Sequence, residues 1–402
     1  MGPLAGLRVV ELDHVHVAFA GKLLADLGAE VTVVEPPGGS PQRTYGPFLD
    51  DEPGPERSLW WWHYHTSKHS VVVDPVADHD ALRRLVRAAD VVLVGELPSP
   101  LGATREWAEQ LTADAPGVVI VSITPYGTAS ARHAEPVTDL TLLAEGGPVW
   151  SCGYDDHTLP PVRGGGNQSL HIAGHWAAMA LLVAILAREE TGQGQFIDVS
   201  MHAAANVTTE MASYAWLAAG MEVQRQTGRH ASPVPTAPVQ VRCRDGRYAT
   251  TGVPPRDPRE FAAIIAELDR RGWRTEFPDT AVLELAAERE EPINFADIET
   301  DPLVLAMVMA ARDVVWFLAE HLDALEFFTL TQGIGLTTGV IYTPGEVMAD
   351  PHLVDRGFPV SVDHPELGRS FRYPGAPYRF GSTPWAARRA PRLGEHQARL
   401  GR

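Results

Sequence analysis

Short runs of β-branched residues alternate with amphipathic stretches along the first third of the chain, and that alternation leaves few folds open. The runs are residues 7–12 (LRVVEL), 30–35 (EVTVVE), 70–74 (SVVVD), 91–95 (VVLVG) and 117–123 (GVVIVSI). Their apolar residues are largely consecutive, as in strands whose sheet is covered on both faces. Residues 18–28, 78–88 and 105–113 lie between them with apolar side chains at helical spacing. Such an alternation builds a parallel sheet flanked by helices, and right-handed crossovers make it Rossmann-like.

The pattern continues with a helix over 136–145, ending at Gly146-Gly147, and a glycine-rich loop at 163–166 (RGGG). A long apolar helix follows over about 169–188, with Asn167 or Ser169 as its cap. A turn at 191–194 leads to a strand over 195–201. Beyond residue 225 the texture changes: Asp245-Gly246 signals a hairpin, and helices are expected near 258–271 and 313–325. The stretch from Thr343 is rich in Pro and Gly and reads as an extended linker. The expected organisation is a Rossmann-like α/β large domain over 1–200, completed by 385–402, and a smaller α+β domain over 231–335. A linker helix over 201–230 and a return linker over 336–384 join them.

Composition narrows the function classes. A formal charge of −18 argues against a nucleic-acid partner. No eighteen-residue apolar run is apparent and the amino terminus lacks a signal-peptide pattern, so no membrane association is expected. The two cysteines, Cys152 and Cys243, form neither a disulfide framework nor a metal-ligand spacing. No metal and a cytoplasmic location are expected, and the sequon at Asn206 is discounted. The turn after the first strand, residues 13–21 (DHVHVAFAG), contains no G-x-G-x-x-G, so NAD is not expected either.

A run of short motifs carries a more specific signal. They are residues 4–12 (LAGLRVVEL), 27–31 (LGAEV), 35–39 (EPPGG), 67–71 (SKHSV), 89–92 (ADVV), 191–195 (TGQGQ), 198–201 (DVSM), 350–352 (DPH), 356–358 (RGF) and 391–396 (PRLGEH). In this order and spacing the chain resembles the class III coenzyme A transferases, the group of formyl-CoA transferase, carnitine CoA-transferase and α-methylacyl-CoA racemase. The resemblance implies a large Rossmann-like domain, a small domain and an interlocked dimer. It also implies a coenzyme A (acyl-CoA) thioester as substrate, with CoA exchanged between carboxylic acids. It places Lys68 and Arg105 near the nucleotide end of CoA, where charge-assisted hydrogen bonds would hold phosphate; the alternative is that both are solvated surface cations. The family's Asn-Phe-Arg-Pro run is replaced here by Gly95-Glu96-Leu97-Pro98, and its basic residue after the second strand by Pro36. Arg43 is the nearest substitute.

The family's catalytic Asp stands four residues ahead of a helix glycine that matches Gly174, which puts Leu170 in its place; no Asp or Glu occurs between Asp156 and Glu189. A carboxylate there would form the acyl and CoA intermediates of transfer, and leucine can form neither. The racemase branch's histidine, near the match to Thr138, is absent too. His171 is the nearest reactive side chain and the candidate base or nucleophile, with Asn167 and Gln168 as donors to a thioester oxygen. All three can equally be structural residues of a helix start. His14 and His16, in the turn after the first strand, are candidates for lining the substrate pocket. Asp139 reads as a structural cap. The leading expectation is CoA transfer by a mechanism without the Asp. The alternatives are another acyl-CoA reaction (isomerisation, racemisation or thioester cleavage) and a non-catalytic CoA-binding subunit paired with an Asp-bearing paralogue. A homodimer and a heteromer both stay open.

Overall fold

The computed structural model describes residues 1–74, 77–97 and 101–401. Pro98, one of the family departures, and Arg402, the last residue of the completing segment, lie outside the described residues. The chain divides into two compact units, one of residues 1–225 with 348–402 and one of residues 226–347.

The first unit is built on six parallel strands: β1 (Arg8–Leu12), β2 (Glu30–Glu35), β3 (His69–Val72), β4 (Val91–Val94), β5 (Val119–Thr124) and β6 (Phe196–Ser200). Their spatial order is β3-β2-β1-β4-β5-β6, with every pairing parallel. The helices are α1 (Ala18–Asp26), α2 (Leu59–Tyr64), α3 (His79–Ala88), α4 (Thr104–Asp114), α5 (Asp139–Glu145), α6 (Gln168–Thr191), α7 (Met201–Val207) and α8 (Glu210–Ala219). Successive valines of one strand feed opposite faces. Val9 and Val31 pack with Leu24 of α1 and Leu181 of α6, while Val10 and Ile120 pack with Leu82 of α3 and Leu111 of α4. This is why the strands read as continuous apolar runs. The strand order reverses between β1 and β4, and open sheets of this kind bind ligands outside the carboxyl ends of the strands at that point.

α6 lies directly against α1. A Cβ on Gly174 would stand 2.8 Å from Phe19 Cδ1, so only glycine allows this approach. Two expectations change here. Gln168–Thr191, with mean hydropathy 1.9, and Pro302–His321, with 1.8, are both long and apolar enough to span a bilayer. Each buries one face in a protein core, α6 through Leu170, Ala173, Ala177, Leu181 and Ala184. The stretch expected to be an extended linker also carries structure. Its strands Pro359–His364 and Arg369–Pro374 pair as an antiparallel hairpin, and Val362 and Tyr373 pack on Trp61 and Trp62.

In the second unit, Gln240–Arg242 and Tyr248–Thr250 form the expected hairpin around Gly246, whose φ is +83°. Helices Pro258–Arg271, Thr280–Ala287, Pro302–His321 and Ala324–Ile334 enclose Phe261, Ile264, Leu268 and Phe327. The helix expected over 313–325 instead starts at Pro302, where the Asp301 carboxylate accepts from the N–H groups of Leu303 and Val304, and stops before Leu322. A proline at the first helical position and an aspartate ahead of it mark that start.

Candidate active site at the carboxyl ends of the sheet

The chain leaves β1 through the turn that holds Asp13, His14 and His16. His14 Nδ1 accepts from the His16 N–H at 3.3 Å, and the two rings stand 4.4 Å apart. Gly95, just past β4, makes room for them: a Cβ there would lie 2.3 Å from His14 Nδ1. Burial lowers His14 to about 4, and burial with the neighbouring His14 charge lowers His16 to about 3. Both imidazoles are therefore neutral at pH 7. The turn thus puts the two histidines at the topological switch point, and His16 Nδ1 is buried without a hydrogen-bond partner among the described residues.

The residues at the start of α6 gather around an aromatic wall that sequence reasoning missed. His171 Nε2 and the Tyr64 hydroxyl share a 2.9 Å hydrogen bond. The His171 ring stacks on Phe19 with centroids 4.1 Å apart and planes 17° from parallel. Trp60 lies 4.6 Å from Tyr64. The signal was present in the string WWWHY at 60–64, whose helix turns Tyr64 toward α6. Burial, and after it the His175 charge, lowers the His171 pKa, while burial raises that of Tyr64. His171 is a neutral imidazole pinned on two sides.

The capping expectation for α6 is corrected. Asn167 occupies the position before the helix, but its amide Nδ2 donates to the Tyr64 hydroxyl at 3.4 Å instead of closing the helix end. The cap is supplied by Asp139, whose Oδ1 accepts from the Ser169 N–H at 2.8 Å and from Ser169 Oγ at 2.7 Å. Its Oδ2 pairs with the Arg163 guanidinium, and Arg163 also donates to the Gly166 carbonyl at 2.9 Å. Asp139 does not cap its own helix α5, a task performed by Thr138 in a reciprocal pair with Thr141. Gln168 rests its amide against Gly164, where a Cβ would come within 2.3 Å of Nε2. Leu170 is 7% exposed and packs into the core. The side chain at that position faces away from solvent, while the exposed part of this segment is the loop over 164–166. Asp139→Ala should cost about 1–2 kcal/mol, the usual worth of a lost N-cap, and Asp139→Asn less because one acceptor oxygen remains. Urea unfolding with an unchanged m-value, together with faster amide exchange at Ser169, checks this.

Two of the expected CoA-phosphate cations are corrected. Lys68 is fully buried: its Nζ donates to Glu11 Oε1 at 2.9 Å, stands 2.8 Å from Oε2 and donates to the Ala18 carbonyl at 2.8 Å. Burial raises Glu11 to about 7 against the opposing pull of Lys68, and burial also lowers Lys68. Arg43 is 1% exposed. It makes a two-pronged pair with Glu35 at 2.7 and 2.9 Å, donates to the Pro391 carbonyl at 3.2 Å and lies 3.8 Å over the Trp61 ring. Neither cation is free to meet a phosphate. Each balances a strand carboxylate inside the unit, because an isolated buried charge is far more costly than a paired one. Arg105 stays on the surface, 3.0 Å from Glu109 one helical turn on. No group of three or more His, Cys, Asp or Glu side chains suited to a metal ion occurs among the described residues.

The parallel sheet and the long helix that follows it are the Rossmann-like frame that the motif string implied. The sequence model of CoA-transferase family III matches residues 4–397. The chain belongs to that family. It is 29% identical to the succinyl-CoA:(R)-benzylsuccinate CoA-transferase subunit BbsE of Thauera aromatica, over 97% of this chain and 91% of that one. It is 28% identical to the succinyl-CoA–D-citramalate CoA-transferase of Chloroflexus aurantiacus, over 99% and 93%. Its fold matches that of a CAIB/BAIF family protein from Brucella suis with a TM-score of 0.76 and 24% identity, over 100% and 98% of the two chains. As a member of this family the chain is placed among CoA-transferases, enzymes acting on acyl-CoA thioesters.

Proposed function

We propose that this chain is one subunit of a CoA-transferase and that a second, paralogous chain supplies the nucleophilic carboxylate. The observation that carries this reading is the state of the α6 start. Both oxygens of Asp139, the carboxylate that reaches it, are already committed to Ser169 and Arg163. His171 has its Nε2 held by Tyr64. A nucleophile needs an unengaged lone pair aimed at the thioester carbon; both Asp139 oxygens are engaged, and the bond to Tyr64 leaves the His171 ring only Nδ1. The word "subunit" in the name of the Thauera aromatica relative supports a heteromeric assembly. In that assembly this chain would bind CoA thioester through surface cations such as Arg105, with the neutral His14 and His16 lining the acyl pocket. Succinyl-CoA, which several relatives carry in their names, is the first donor to test.

The test is complementation. The pure chain with succinyl-CoA and a panel of carboxylic acids should give no transfer and no hydroxylamine-trappable adduct. Co-expression with a family member that carries the Asp should give transfer, lost when that Asp becomes Ala and largely retained in His171→Ala of this chain. Turnover by the pure chain, abolished in its His171→Ala variant by about 100-fold or more, would replace this reading with catalysis by His171.

The same assembly predicts cover for an apolar stripe on α6. Trp176, Met179, Val183 and Leu186 are 39–62% exposed and fall on one helical face. An interlocked dimer, of two copies or of this chain with its paralogue, would bury it. Light scattering should return twice the chain mass, and Val183→Asp with Leu186→Arg should shift it to the single chain.

A further inference from the structure

Beside the amino-terminal end of β3, away from the carboxyl ends that form the candidate active site, lies a cavity of about 420 Å³. Its walls include Ser67, His69, Asp363, Arg388, Arg389 and His396. The carboxylates among its lining are partly engaged. Glu395, which also lines the cavity, takes two bonds from Arg389 at 2.6 and 2.9 Å and one from the Arg392 N–H at 2.8 Å. Asp363 accepts from Ser370 Oγ at 2.5 Å.

The donors are in the opposite state. Arg388 has its backbone pinned by two hydrogen bonds with Ser67, one in each direction, at 2.9 and 3.0 Å. Its guanidinium, which is exposed, makes no hydrogen bond or ion pair among the described residues. His396 Nδ1 accepts from the Ser70 N–H at 3.2 Å, which leaves the proton of a neutral ring on Nε2, again without a described partner. The His69 ring stands 4.4 Å from that of His396. Burial lowers the pKa of both rings, His69 to about 4; the charges of Arg399 and Arg388 act in the same direction on each, while Glu395 pulls His396 up and Glu30 pulls His69 up. The cavity thus sets two unspent donors, on Arg388 and His396, beside a Glu395 whose charge Arg389 balances.

We propose that this cavity binds a small tetrahedral oxyanion, a phosphate or sulfate group, through the Arg388 guanidinium and the Nε2–H of His396. An arginine fork and a neutral imidazole N–H suit such a ligand, since charge-assisted bonds to its oxygens are the stronger kind. The group can arrive free or as the phosphate of a nucleotide.

The experiment follows imidazole ¹⁵N and ring ¹H signals of His69 and His396 in the whole chain while sodium sulfate replaces sodium chloride at constant ionic strength. Saturable shifts of the His396 signals, with affinity reduced at least about tenfold in Arg388→Ala and partly kept in Arg388→Lys, would bear the proposal out. Adenosine 3′,5′-bisphosphate is the second probe. Shifts at the same signals with tighter affinity than sulfate assign the site to a nucleotide phosphate; failure to compete with bound sulfate assigns it to a free oxyanion. Signals that do not move with either probe, or that move with equal affinity in Arg388→Ala, would overturn it. Because the Arg388 side chain is exposed and unpaired, its variants should keep the parent's unfolding temperature, so a lost shift reports binding.

Discussion

Lys68→Met should unfold this protein more readily by about 3–5 kcal/mol, the range seen when one partner of a buried ion pair is removed. Met matches the length of the lysine stem, so packing is retained and the loss isolates the charge. What remains is the Glu11 carboxylate, fully buried and stripped of its cation. Glu11 already has its pKa raised from an ordinary 4.5 to about 7, chiefly by burial. The folded state therefore holds more protons than the unfolded chain between those two values. Stability tied to this group is fully present below about pH 4.5 and is lost as pH rises through about 7. Without Lys68 the carboxylate loses the interaction that lowers it, its pKa moves higher still, and the falling window extends into the alkaline range. Urea midpoints at pH 5, 7 and 8.5 check this: the gap between wild type and Lys68→Met should widen as pH rises. The double variant Glu11→Gln, Lys68→Met should recover part of the loss, since no buried charge is left unpaired. A gap that is the same at all three pH values would mean that lost packing, not an orphaned carboxylate, is the cause.

Gly21→Ala should be at least as damaging, for a steric reason at the same place. A Cβ on Gly21 would stand 1.7 Å from Glu11 Oε2 and 3.0 Å from Lys68 Nζ. Alanine would otherwise favour the helix by about 1 kcal/mol over glycine, so propensity predicts stabilisation and the structure predicts the reverse. Relief would require moving α1 off the sheet or rotating the carboxylate away from its lysine. Either route costs an estimated ~4 kcal/mol or more, in the range of a broken buried ion pair. The expected result is little soluble protein, or a thermal transition lowered by well over about 5 °C for a domain of this size. Rescue is the sharper readout: Glu11→Ala in the same chain removes the clashing atom and should restore part of the solubility, although it orphans Lys68. A fully stable Gly21→Ala chain would contradict the close approach of α1 to β1.

The Lys68, Gly21 and Asp139 variants all probe one property of this unit. Polar side chains brought inside this unit come with their partners, some far away in sequence, as Glu11 with Lys68 and Asp139 with Ser169, and some nearer, as Glu35 with Arg43 eight residues on. Sequence reading assigned Lys68 and Arg43 to the ligand because a cation near a family CoA motif suggests phosphate. What it lacked was the position of Glu11 and Glu35 beneath them on adjacent strands. Both carboxylates were in view as strand residues, with nothing in their local spacing to mark them as buried.

The order of the elements was legible from the chain alone, because strand and helix periodicity are local properties of consecutive side chains. The two-sided burial of β1, β2, β4 and β5 follows directly from their apolar runs, and a two-sided parallel sheet dictates helical crossovers. The absence of a carboxylate between Asp156 and Glu189 is likewise a fact of sequence that no folding can change. Only the tertiary structure decided which residues meet at the start of α6. Tyr64, Phe19 and His171 are separated by as many as 152 positions, and their contact depends on how α1 and α2 dock on the long helix. It decided, too, that Asp139 rather than Asn167 closes that helix, and that Leu170 turns inward. A cap needs only an oxygen at hydrogen-bond distance from an N–H, whichever part of the chain delivers it, and the rotation of a helix about its axis is set by the surface it packs against.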